Sequence, residues 1–109
     1  MDLFDVSKLI AQRDLGQHTY EEFFRAETLS IGLSVWPAGS VDGQRPHAED
    51  EVYYVVAGRG RIRVAAEDAP VQPGSVVFVA AGVEHRFHSI EETLRVLVFW
   101  APPHHSRET

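Results

Sequence analysis

Gly39-Ser-Val-Asp-Gly-Gln-Arg-Pro-His-Ala-Glu-Asp-Glu-Val-Tyr-Tyr-Val-Val-Ala-Gly58 starts as a polar, turn-rich stretch and becomes a β-branched and aromatic run at Glu51. Val and Tyr fit a pleated, half-buried surface, so Glu51 to Val56 reads as a strand. A second stretch follows the same logic: Gly74-Ser-Val-Val-Phe-Val-Ala-Ala-Gly-Val-Glu-His-Arg-Phe-His-Ser89. Pro73-Gly74 marks a turn, Val76 to Val79 a buried strand, Gly82 another turn, and Glu84 to Ser89 a further strand.

Outward from these stretches the pattern stays β. Leu29-Ser-Ile-Gly-Leu-Ser-Val35 alternates apolar with small or polar residues, which predicts a half-buried strand ended by Pro37-Ala-Gly39. Arg61 to Ala65 reads as a strand joined to Glu51–Val56 by a hairpin over Val56-Ala-Gly-Arg-Gly-Arg61. Tyr20 to Glu27 carries the pair Phe23 and Phe24, and Thr93 to Trp100 is the last long strand. One helix is expected, capped by Ser7 over Lys8 to Arg13, with Leu9 and Ile10 inward and a stop at Gly16. Eight or more short strands without βαβ alternation predict an all-β, antiparallel barrel. It occupies 1–109 as one domain, with an arm over about 1–28, the barrel over about 29–101 and a loose tail over 102–109.

Composition limits the function. The chain has 109 residues, 44% hydrophobic, with a formal net charge of −6. That fits one folded domain and argues against nucleic acid or an anionic membrane surface as partner. Arg59, Arg61 and Arg63 alternate with Gly60 and Ile62, which places the arginines on one solvated strand face. There is no cysteine, which excludes disulfides and thiolate ligands. Met1-Asp-Leu-Phe-Asp5 has neither the basic start nor the apolar run of a signal peptide, so a cytoplasmic location is expected. Phosphate-loop, dinucleotide and nucleophile-elbow patterns are absent.

Chemistry concentrates at three residues. His47 and Glu51 lie at a turn and the strand after it, and His85 begins a later strand. In an antiparallel barrel Glu51, Tyr53 and Val55 would face inward from one strand, and His85, Phe87 and Ser89 from the other. The product is a pocket with a polar centre and aromatic walls, suited to a small molecule.

These residues carry a resemblance. The spacing Gly39, five residues, Arg45-Pro-His47, three residues, Glu51, six residues, Gly58 resembles the first cupin motif. The spacing Gly74, five residues, Ala80-Ala-Gly82, two residues, His85, three residues, Ser89 resembles the second. The resemblance implies a small single-domain cupin, a double-stranded β-helix of the jelly-roll type. It also implies one divalent metal ion on His47, Glu51 and His85. Arg45 stands where the family has its first histidine, Ala80 where it has the turn proline, and Ser89 where it has an asparagine. Guanidinium has no lone pair for a metal.

Two imidazoles and a carboxylate still suit Zn or Fe, and Ni, Mn or Cu fit the same donor set. The family includes dioxygenases, isomerases and decarboxylases as well as non-enzymes. The alternative is a metal-free pocket in which Arg45, His47 and His85 hold an anionic ligand such as a sugar acid. Arg45 has other outcomes too: pairing with Glu51, or turning outward. Tyr53 reads first as packing and second as a phenol offered to a ligand. Glu49 reads first as a solvent-facing acid beside Asp50 and Glu67 and second as a replacement for the missing ligand near His47, and His88 reads as outward-pointing. His104 and His105 read as tail residues, and His18 as part of a polar loop. Trp36, Phe78, Phe87, Phe99 and Trp100 read as core or subunit contacts. The resemblance implies a homodimer, formed through a sheet face or an exchanged N-terminal strand.

Overall fold

The computed structural model describes residues 1–13 and 19–107. A short helix, α1 (Val6–Arg13), precedes six strands: β1 (Thr19–Arg25), β2 (Ser30–Trp36), β3 (Asp50–Val64), β4 (Glu67–Val71), β5 (Val76–Val79) and β6 (His85–Ala101). All pairings are antiparallel, in the order β1-β2-β6-β3-β4, with β5 also on β3. β6 runs along one side of β3. β5 takes the first half of the other side, at Glu51–Tyr54, and β4 the second half, at Gly60–Val64.

The expected hairpin over Val56–Arg61 is not formed, and β3 continues straight through it. Gly58 takes φ +93°, and a side chain there would collide with the carbonyl oxygen of Thr93 on β6. The glycine thus serves a close approach of two bulged strands instead of a reversal. The register between β3 and β6 slips three times between Val55 and Arg61. β6 likewise joins two runs expected to be separate, passing through Ser89 at φ +48°. The many short strands of the sequence reading are therefore fewer and longer. β4 was not expected, because Glu67-Asp68-Ala69-Pro70 is poor in β-formers. It lies at a sheet edge, where proline and charge are tolerated.

Two-residue alternation builds the core. Tyr53, Val55 and Ile62 from β3 meet Phe87, Leu94, Val96, Val98 and Trp100 from β6, with Trp36 from β2. The arginines of β3 point the other way, as expected: Arg59 and Arg63 are exposed and Arg61 half-exposed. β5 departs from its expected burial. Val79 is buried, but Val76 is 66% and Phe78 60% exposed. β2 departs in the other sense, since nearly every residue on both its faces is covered.

The helix cap is Asp5, not Ser7. Its Oδ1 accepts the backbone N–H of Ser7 at 3.0 Å and of Lys8 at 3.4 Å. The acceptor role lowers the Asp5 carboxyl pKa, with the Ser7 hydroxyl bond as the main cause. The proposed stop at Gly16 and the loop at His18 lie outside the described residues. No helix among them is long and apolar enough to cross a membrane.

Candidate metal centre

Three hydrogen bonds hold together the two segments that supply the centre. Gly82 N–H donates to the His47 carbonyl at 2.7 Å, and Ala81 N–H to Asp50 Oδ1 at 2.8 Å. Phe87 N–H donates to Asp42 Oδ2 at 2.8 Å. The loop over residues 42–50 is thereby fixed against the turn and strand that carry His85, although the two are distant in sequence.

His47, Glu51 and His85 each offer one ligand atom, and these atoms lie within 4.8 Å of one another. Glu51 and His85 are buried and His47 is half-buried. Nδ1 of His85 lies 2.9 Å from the Val83 carbonyl. That carbonyl can only accept, so Nδ1 carries hydrogen and Nε2 of the neutral ring presents its lone pair. Nε2 stands 2.8 Å from Glu51 Oε1, within ion-pair distance. Nε2 and both Glu51 oxygens are buried with no hydrogen-bond partner among the described residues.

Lone pairs this close in a dry site repel unless a cation or proton sits between them. Burial by itself would lower the His85 pKa. The Glu51 carboxylate and the Val83 carbonyl outweigh it and raise the value.

Arg45 is exposed and lines a surface cavity with Arg63 and Arg86, while the interior pocket is lined by its neighbour Gln44. Asp42 accepts the Gln44 backbone N–H at 2.9 Å and its side-chain amide N–H at 2.7 Å. The Gln44 amide oxygen then faces His47, 3.2 Å from Nε2. Asp42, Gln44 and His47 form a relay that orients the imidazole. Sequence spacing drew attention to Arg45 and passed over Gln44 and Asp42. The only signal for them was Asp42-Gly-Gln44, an Asx-turn pattern.

Tyr53 lies in the core with its hydroxyl buried. Burial first, then the Glu51 charge, pushes the phenol well above its ordinary value. The pocket beside it has a volume of about 160 Å³ and reaches Trp36, Trp100 and His104.

The described part of the expected loose tail, up to residue 107, is packed against the barrel. His104 stacks on Trp100 at 3.9 Å and meets His47 edge-on at 5.4 Å. Glu49 is not a solvent-facing acid either: it is 1% exposed and accepts the backbone N–H groups of His105 at 3.2 Å and Arg107 at 3.1 Å. Backbone amides of an irregular segment need acceptors, and a buried carboxylate supplies two. His88 points outward as expected, 2.6 Å from Asp68.

Comparison with known proteins agrees with this architecture. Residues 32–101 match the family model described as "Cupin domain". An uncharacterised protein of Streptomyces coelicolor is 48% identical over 103 residues, covering 94% of this chain and 98% of that one. A crystal structure of a Thermus thermophilus protein superposes with a TM-score of 0.77 at 27% identity, covering 94% of this chain and 99% of that one. A cupin with a double-stranded β-helix fold from Methanocaldococcus jannaschii gives a TM-score of 0.72 at 20% identity, covering 83% and 84%.

Proposed function

The chain belongs to the cupin family, and on that premise we propose that it holds one divalent metal ion through His47, Glu51 and His85, for work on a small-molecule ligand or substrate. The observation that carries the reading is the buried, unpartnered set of Glu51 Oε1, Glu51 Oε2 and His85 Nε2. Such acceptors are stable in a dry interior only with a cation or a proton between them, and a metal ion can serve all three atoms at once. Zn, Fe, Mn and Ni all fit two imidazoles and a carboxylate.

A bound ion with an open position would polarise a substrate carbonyl or acidify a bound water. The remaining work belongs to the chain. Val83 fixes the His85 tautomer, and Asp42 with Gln44 aims His47. Tyr53 keeps its phenolic proton and offers it to a ligand oxygen. Trp100 and His104 wall the pocket against water. Dioxygenation, isomerisation and decarboxylation are all compatible with this equipment. A cytoplasmic homodimer completes the proposal.

A second reading is also supported by the 2.8 Å approach of His85 to Glu51, which a single proton can bridge. The pocket would then be metal-free and would bind without catalysing. Elemental analysis of protein purified without an affinity tag separates the two. The metal reading expects close to one equivalent per chain, lost in Glu51→Gln and His85→Ala variants that keep the wild-type circular dichroism. No uptake after reconstitution with Zn, Fe, Mn and Ni in turn would leave the proton bridge as the answer.

A further inference from the structure

We infer that the arginine-lined cavity beside the metal centre is a binding subsite for a small organic oxyanion, a carboxylate or a phosphate monoester. The cavity measures about 460 Å³, within the size range of small-molecule sites. Arg45, Arg63 and Arg86 line it, and so do His85 and Gln44, which places it against the centre.

Charge pairing on this sheet face breaks off at the cavity. Arg59 reaches Glu92 at 3.9 Å, and Arg61 and His88 share Asp68 at 2.8 and 2.6 Å. One step further along the ladder, Arg63 on β3 lies directly opposite Arg86 on β6. Like charges directly across a sheet repel. Among the described residues, no carboxylate lies within salt-bridge distance of Arg45, Arg63 or Arg86. Arg63 makes one long hydrogen bond, from Nε to the Ala65 carbonyl at 3.4 Å.

Two acids also line the cavity, Asp42 and Glu84. Asp42 is buried, with its oxygens occupied by Gln44 and by Phe87 N–H. Glu84 is exposed. The three guanidinium groups thus outnumber the acids on a chain whose formal net charge is −6. Guanidinium forks match the oxygens of carboxylate and phosphate. The acidic remainder of the molecule disfavours a polyanion such as nucleic acid.

The subsite rests on the metal reading only for where the ligand's reactive end would lie, so the test uses protein stripped with EDTA. Succinate and inorganic phosphate are titrated calorimetrically at constant ionic strength set with NaCl. Saturable binding is expected, weakened about tenfold in each of Arg45→Gln, Arg63→Gln and Arg86→Gln, the order of one lost charge-assisted hydrogen bond. Arg59→Gln, on the same strand with the same charge, leaves it unchanged. The tighter of the two probes identifies the oxyanion. Absence of saturation, or an equal loss in Arg59→Gln, would overturn the subsite. Metal uptake measured on the same variants keeps the two ideas apart, since either can fail while the other survives.

Discussion

At the scale of single residues, the outcome turns on which neighbour points inward. Motif spacing singled out Arg45, and a spacing rule cannot see that Asp42 draws Gln44 inward by two hydrogen bonds and leaves Arg45 outside. The convergence of His47, Glu51 and His85 was legible because their spacing was intact. Glu49 was not legible, because its partners are backbone amides more than fifty positions away. Truncating it to Ala removes two charge-assisted hydrogen bonds to backbone N–H groups and should cost about 1–3 kcal/mol in urea denaturation, with Glu49→Gln losing less.

Tyr20 offers a pH test. Burial, opposed by a hydrogen bond from Trp100, raises its phenol to about 12. An unfolded chain releases that proton near 10, so the folded chain holds it more tightly. The stability gained is complete below pH 10 and fades as pH climbs toward about 12. Phenolate absorbance should show this late ionisation in the wild type and lose it in Tyr20→Phe. The stability of the variant should fall less steeply over the same window.

Most strands were read correctly in kind and less well in extent, and β4 was missed. Alternation in Leu29–Val35 and around Arg59–Arg63, and β-branched and aromatic content in Glu51–Val56, identified strands. Continuity was hidden by glycine. The same residue that permits a tight turn also permits two backbones to touch, and Gly58 does the latter against Thr93. A methyl group there meets both a collision and a φ of +93°. Gly58→Ala should therefore destabilise by more than about 1 kcal/mol, read as a lower thermal midpoint. Gly39 and Gly74 also have positive φ but open space around the missing Cβ, so alanine there meets backbone strain alone and should cost less.

For the whole molecule, closure explains the core and leaves one face to be accounted for. β3 and β6 pair along their length, and their inward residues form one cluster from Tyr53 to Trp100. On the outside, Val76 and Phe78 of β5 stand across the ladder from Tyr54 and Val52 of β3, and Tyr54, Val76 and Phe78 are all exposed. Such a row is apolar surface of the kind that associates. If the proposed homodimer uses it, light scattering should give twice the chain mass for the wild type and the single mass for Phe78→Glu.

The strap over residues 104–107 has its own consequence for mutational tolerance. Glu49 grips it by main-chain N–H groups, which every residue type except proline supplies. The Glu49 bond at position 107 should therefore survive a change of side chain and be abolished by Arg107→Pro. Drift in spelling is harmless to the grip, whereas an inserted or deleted residue moves the amides out of reach and opens the pocket wall that His104 completes.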